Sequence, residues 1–203
     1  INETAIVQND FNLRYCQDSG TTTLRHSRVD SASVGSGIWA CGFIVRLVLE
    51  DCTVSSNATN GVAYSSDSVW SELVATRCTI ARNGLHGIGQ HGWQVGMRLR
   101  DVEIATNQGW GIGPLVRDAK SDDLCGERFA GRDPKRLDGY SIMDECMIRG
   151  NSLGGAILRG SFHSVDLDST VIVDNHGPGL HLESTFADAS YSLSNVSVAG
   201  NHG

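Results

Sequence analysis

The chain has 203 residues, with 16 Lys and Arg against 23 Asp and Glu and a formal net charge of -7. That balance argues against nucleic acid or an anionic membrane as the main partner. No apolar run approaches the roughly 18 residues of a membrane-spanning helix, so no membrane insertion is expected. Three prolines beside 24 glycines, with abundant Ser, Thr and Asn, suit short strands joined by tight turns.

The opening residues follow a pattern loosely. Asn9 has Ile6 three residues before it and Ile1 eight before it; the next equivalent is Ala32, with Val29 and Leu24 at the same offsets. From Leu47 onward the pattern is firm. Asn57, Asn83, Asn107, Asn151, Asn175 and Asn201 recur about 24 to 26 residues apart, except for one longer interval between Asn107 and Asn151. Three residues before them stand Val54, Ile80, Ile104, Ile148, Ile172 and Val198; eight before stand Leu49, Ala75, Leu99, Met143, Leu167 and Leu193. Four after each of the first five comes a glycine: Gly61, Gly87, Gly111, Gly155 and Gly179.

Apolar residues alternate with polar ones around Leu47 and Leu49, a period of two that predicts strands. Two further short strands per repeat are expected, through Thr53-Val54 and through Val62-Ala63-Tyr64. Stacking such turns at strand spacing places equivalent positions above one another, about 4.8 Å apart. The Asn column then reads as a ladder that satisfies buried bend amides and tolerates unusual backbone angles there. The glycines four residues on would supply angles forbidden to other residues.

Cys52, Cys78 and Cys146 share one column with Val102, Thr170 and Val196, which describes a small buried site. Core thiols are expected there rather than a bridge, and unpaired thiols point to a reducing compartment. Cys16 and Cys41 become equivalent when Leu13 is aligned with Ile38; Cys125 stands in a loop. The glycosylation pattern Asn57-Ala58-Thr59 falls on the buried ladder and is read as accidental.

Between Val116 and Asp138 the alternation stops, and Pro134, glycines and a dense mixture of charges take over. Residues 116–138 read as a loop insertion leaving the stack, in a position where it could wall a binding cleft.

Three strands per repeat with Asn- and Gly-bearing bends resemble the right-handed parallel β-helix of the pectin-lyase-like superfamily. The expected architecture is all-β, a single β-helix domain over 1–203 with about eight turns and one long loop insertion. The last repeat stops at Gly203 before its bend glycine, and Ile1 opens inside a strand. The expectation is therefore a portion of a longer chain whose ends are covered by further turns, a cap or another subunit.

Candidate chemistry lies on outward positions of the first strand. Seven residues before the ladder stand Glu50, Thr76, Arg100, Asp144, Asp168 and Ser194; nine before stand Val48, Val74, Arg98, Ile142, Asp166 and Ser192. Stacking brings Asp144 beside Asp168, with Asp166 two residues along and Arg100 on the neighbouring turn. Carboxyl groups about 5 Å apart suit a retaining glycosidase. The resemblance implies an alternative, in which Asp144 and Asp168 hold Ca2+ against a uronate sugar while Arg100 neutralises its carboxylate.

Arg98, His91, Trp93 and Trp110 complete the candidate sugar-binding set. Gln90-His91-Gly92 faintly resembles the Gly-His-Gly of polygalacturonases, and Asp122-Asp123 their paired aspartates, but the order is reversed and no catalytic residue is carried over. The leading expectation is a carbohydrate-binding or carbohydrate-processing domain, extracellular or cell-surface, with a polysaccharide partner. The alternative is a non-enzymatic scaffold for a protein partner, cytoplasmic.

Overall fold

The computed structural model describes residues 5–7, 13–66, 71–92, 95–115, 139–160, 164–184 and 189–203. They form one parallel β-solenoid in eighteen strands. In chain order these are β1 (Ala5–Val7), β2 (Leu13–Arg25), β3 (Arg28–Asp30), β4 (Ile38–Glu50), β5 (Thr53–Ser55) and β6 (Val62–Ser66). Then come β7 (Ser71–Ala81), β8 (Ile88–Gly92), β9 (Val95–Ala105), β10 (Trp110–Pro114), β11 (Gly139–Asp144) and β12 (Met147–Arg149). The last are β13 (Gly154–Gly160), β14 (Ser164–Asp168), β15 (Val171–Val173), β16 (Leu180–Ser184), β17 (Tyr191–Ser194) and β18 (Ser197–Ala199). The stack has about six turns rather than eight. Several strands also run through the corners where separate strands were expected, β4 and β7 among them.

The register follows the repeat. On the first face Leu47 pairs with Leu73, Leu73 with Met97, Met97 with Ser141, Ser141 with Val165 and Val165 with Tyr191. On the second face Val29, Val54, Ile80, Ile104, Ile148 and Ile172 are fully buried. On the third, Leu13, Ile38, Val62, Ile88 and Ile112 stack in order. These columns form one continuous interior. Burying each such side chain contributes on the order of 2 kcal/mol, offset by the entropy of ordering the chain.

The asparagine ladder runs unbroken. The Oδ1 of Asn83 accepts from both the backbone N–H of Asn57 (3.1 Å) and its Nδ2 (2.9 Å). Asn83 donates in the same two ways to Asn107, and Asn107 to Asn151. The ladder crosses directly from Asn107 to Asn151, so the bend is continuous across the longest interval of the repeat. The 116–138 insertion itself lies outside the described residues. Ala32 occupies the ladder position of its turn, its N–H reaching Asn57 Oδ1 at 3.0 Å. Asn57 is 2% exposed, in keeping with an accidental glycosylation pattern.

The strained backbone lies beside the ladder, not in it. Left-handed φ values fall on the residue before each ladder Asn, among them Ser56 (57°), Arg82 (55°), Thr106 (53°) and Asp174 (55°). A second left-handed column turns the corner between the first two faces at His26, Asp51, Arg77, Asp101, Glu145, Ser169 and Asn195. Backbone bonds between turns hold these residues, such as Asp51 N–H to the Thr76 carbonyl at 3.0 Å. The bend glycines Gly61, Gly87 and Gly111 are needed for space rather than for φ. A Cβ on Gly87 would stand 2.7 Å from the Gly111 carbonyl oxygen and 2.9 Å from Asn107 Nδ2.

That corner also explains the cysteine column. Where the side chain just past a left-handed residue carries a donor, it donates back to the carbonyl two residues earlier. Cys52 does so to Glu50 (3.2 Å), Cys78 to Thr76 (3.2 Å), Cys146 to Asp144 (3.3 Å) and Thr170 to Asp168 (2.9 Å). Cys52, Cys78 and Cys146 are free and buried. Burial pushes Cys146 up to about 11, and Cys78 is raised by its contact with the Cys52 thiol and then by burial. The same contact lowers the Cys52 thiol, but with Cys52, Cys78 and Cys146 only 2%, 3% and 2% exposed, burial should make all three resist a thiol-directed reagent in the native protein and react after unfolding. Rapid native labelling of any of them would refute this packing.

Cys41, whose redox state the sequence leaves open, is disulfide-bonded. The β2–β4 register sets Cys16 opposite it. Cys41 belongs to a second apolar cluster with Trp39, Ala63 and Leu115, separate from the interior. Trp39 and Cys41 alternate with the interior residues Ile38 and Ala40, so this cluster sits on the outward side of the third face.

Candidate functional site

The outward positions of the first face assemble as the repeat implies. Arg100 pairs in register with Asp144, and Asp144 with Asp168. Arg98 pairs with Ile142, and Ile142 with Asp166, so one turn separates Arg98 from Asp166. The Nε of Arg100 lies 3.5 Å from the Asp144 carboxylate, and both side chains are well exposed. Asp168 accepts from Asn195 Nδ2 at 3.2 Å. Lower in the same column Arg25 meets Glu50 at 2.6 Å, so the stack holds two such cation–anion pairs.

Calcium takes about six to eight oxygen ligands. Asp144 and Asp168 offer fewer, and each is already engaged. No group of three or more His, Cys, Asp or Glu among the described residues could hold a metal ion. The pair by itself does not fit a calcium site.

The aromatic and histidine candidates are dispersed. His91 is buried on the outward side of β8, opposite Ser65. Trp110 is half-buried, its ring filling the space above Gly154 that a Cβ would need. Trp93 and Trp70 lie outside the described residues. Beside Trp110 a short second ladder runs along the bend: Asn60 Oδ1 accepts from the His86 N–H (3.4 Å), and His86 Nδ1 from the Trp110 N–H (2.9 Å). Burial lowers His86 to about 4, so it is a neutral acceptor at Nδ1. His86 and Asn60 are bend structure.

The most organised polar group on the first face escaped the sequence reading. It lies eleven residues before the ladder, where Arg46, Glu72, Gly96 and Tyr140 stack in register. Arg46 Nε donates to Glu72 at 2.8 Å and Arg98 Nε at 2.7 Å, and the Tyr140 hydroxyl donates to the same carboxylate. Partial burial works to raise the Glu72 pKa, but Tyr140, Arg98 and Arg46 together outweigh it and hold the carboxyl below its usual range. The signal that would have found this group is parity: eleven before the ladder faces outward just as seven and nine before do.

Comparison with family models, with characterised proteins and with solved structures gives no match. The solenoid therefore rests on its own register and ladder, and a function has to be argued from its outward faces.

Proposed function

We propose that this is a carbohydrate-binding β-helix, resembling those of the pectin-lyase-like superfamily, whose ligand lies across the first face. One observation carries the reading: lateral register gathers Arg98, Arg100, Tyr140, Asp144, Asp166 and Asp168 on a single outward face. Such a face offers charged and hydrogen-bonding groups at strand intervals to an extended polar chain. If the face is catalytic, Asp144 and Asp168 on adjacent strands stand near the roughly 5 Å separation of a retaining pair. Arg100 would then steady a charge on the substrate. The disulfide at Cys41 supports an oxidising compartment, hence an extracellular or cell-surface setting.

The test is a panel of soluble polysaccharides, followed by affinity electrophoresis and by release of reducing ends or unsaturated products. Binding that weakens about tenfold in an Asp144→Asn/Asp168→Asn double variant, with an unchanged melting temperature, is the expected result. A second reading, a rigid scaffold for a protein partner, is favoured by the ion pairing of Arg100 with Asp144 within its own column. No polysaccharide binding, together with capture of a defined protein partner on this face, would select the scaffold.

A further inference from the structure

Arg46 and Arg98 hold Glu72 in an unusual way. Each uses only Nε, one on each carboxylate oxygen. Neither terminal Nη pair makes another bond among the described residues, while the side chains remain 53% and 54% exposed against 18% for Glu72. The Arg98 guanidinium also lies 4.9 Å from the Tyr140 ring centroid. Tyr140 reaches Glu72 only because Gly96 stands between them: a Cβ there would come within 2.5 Å of Tyr140 Cζ and 2.7 Å of its hydroxyl.

Exposed ion pairs contribute about 0–1 kcal/mol, so stability alone does not account for ordering three side chains around one carboxylate. The arrangement leaves the terminal Nη groups of two half-exposed, planar guanidiniums uncommitted, donors suited to receiving an oxyanion. Two positive charges against one negative leave a net positive spot on a chain of net charge -7.

We infer that Arg46 and Arg98, braced on Glu72 and Tyr140, form the point on the first face that binds an oxyanion of the ligand, a sugar carboxylate or a sulfate ester. Tyr140 and Gly96 act as positioning residues. This rests on the carbohydrate reading, and the test separates the two.

The probes are alginate, the same alginate with its carboxyls reduced to alcohols, dextran sulfate and dextran, each measured by calorimetry against the full chain. Wild type should bind one charged polymer at least about tenfold more tightly than its neutral counterpart, with affinity falling as salt rises. The pair that shows the preference identifies carboxylate or sulfate. Arg46→Gln/Arg98→Gln should erase the preference, so that charged and neutral polymers bind the variant equally, and Gly96→Ala should erase part of it by displacing Tyr140. Arg149→Gln, on the second face, should change nothing. Equal affinity of wild type for charged and neutral polymers would overturn the oxyanion site and leave the carbohydrate reading standing. A charge preference that survives the double variant would overturn the assignment to Arg46 and Arg98. Failure of all four polymers to bind would remove both.

Discussion

Asn83→Ala should lower stability by about 2–5 kcal/mol, because two buried donors of the neighbouring turn lose their shared acceptor at once. Asn57 presents both its backbone N–H and its Nδ2 to Asn83 Oδ1, and Asn57 and Asn83 are 2% and 0% exposed. Water cannot reach the orphaned groups, so their desolvation is not recovered. Asn107 Oδ1 also loses the Asn83 Nδ2 donor at 2.9 Å. For a chain of this size the melting temperature should fall on the order of 10 °C. Asn83→Asp sharpens the test, since it keeps the shape and the acceptor but sets a second oxygen against Asn107 Oδ1. It should be at least as damaging as the alanine. Calorimetric scans of both variants check this, and a melting temperature within about 2 °C of wild type for Asn83→Ala would mean that the ladder is not sustaining the bend.

The ladder was readable because it repeats a residue type. Asn, the apolar residue three before it and the glycine four after it are constrained identically in every turn, so spacing alone fixed the register that joins Leu47 to Leu73 and Arg100 to Asp144. The left-handed column was invisible for the opposite reason. Ser56, Arg82, Thr106 and Asp174 share a backbone conformation but no side-chain type, because bonds between turns impose it rather than local propensity.

The site shows the same contrast. Columns seven and nine residues before the ladder announced themselves through acidic residues and arginines. The column that carries Arg46, Glu72, Gly96 and Tyr140 mixes four residue types, and its organisation depends on Tyr140 spanning a whole turn across Gly96. Side-chain reach of that kind is not written in spacing. The disulfide state of Cys41 was also beyond the pattern, although the Leu13–Ile38 alignment correctly set Cys16 opposite it.

Gly111→Ala should cost about 3 kcal/mol or more, whereas Gly150→Ala, one turn further along, should cost only about 1 kcal/mol. The two glycines are there for different reasons. Gly111 has an ordinary φ, but a Cβ on it would stand 2.6 Å from Ile148 Cγ2, 2.7 Å from the Gly155 carbonyl oxygen and 3.0 Å from Asn151 Nδ2. None of these can yield cheaply. Ile148 is fully buried, the Gly155 oxygen is main chain, and Asn151 is a ladder residue that is 0% exposed. Relief would require prising β10 from β13, which are held at parallel-strand spacing by their register. Gly150 presents the reverse case. Its φ is +62°, yet the nearest atom to an added Cβ is Thr106 Cγ2 at 3.5 Å, an ordinary contact. Other turns already accept Ser56, Arg82, Thr106 and Asp174 in the same conformation at the same position. Thermal or denaturant unfolding of the two alanine variants side by side decides the matter. Equal losses would mean that turn-to-turn clearance does not set the cost at Gly111, and the account of the bend would have to be withdrawn.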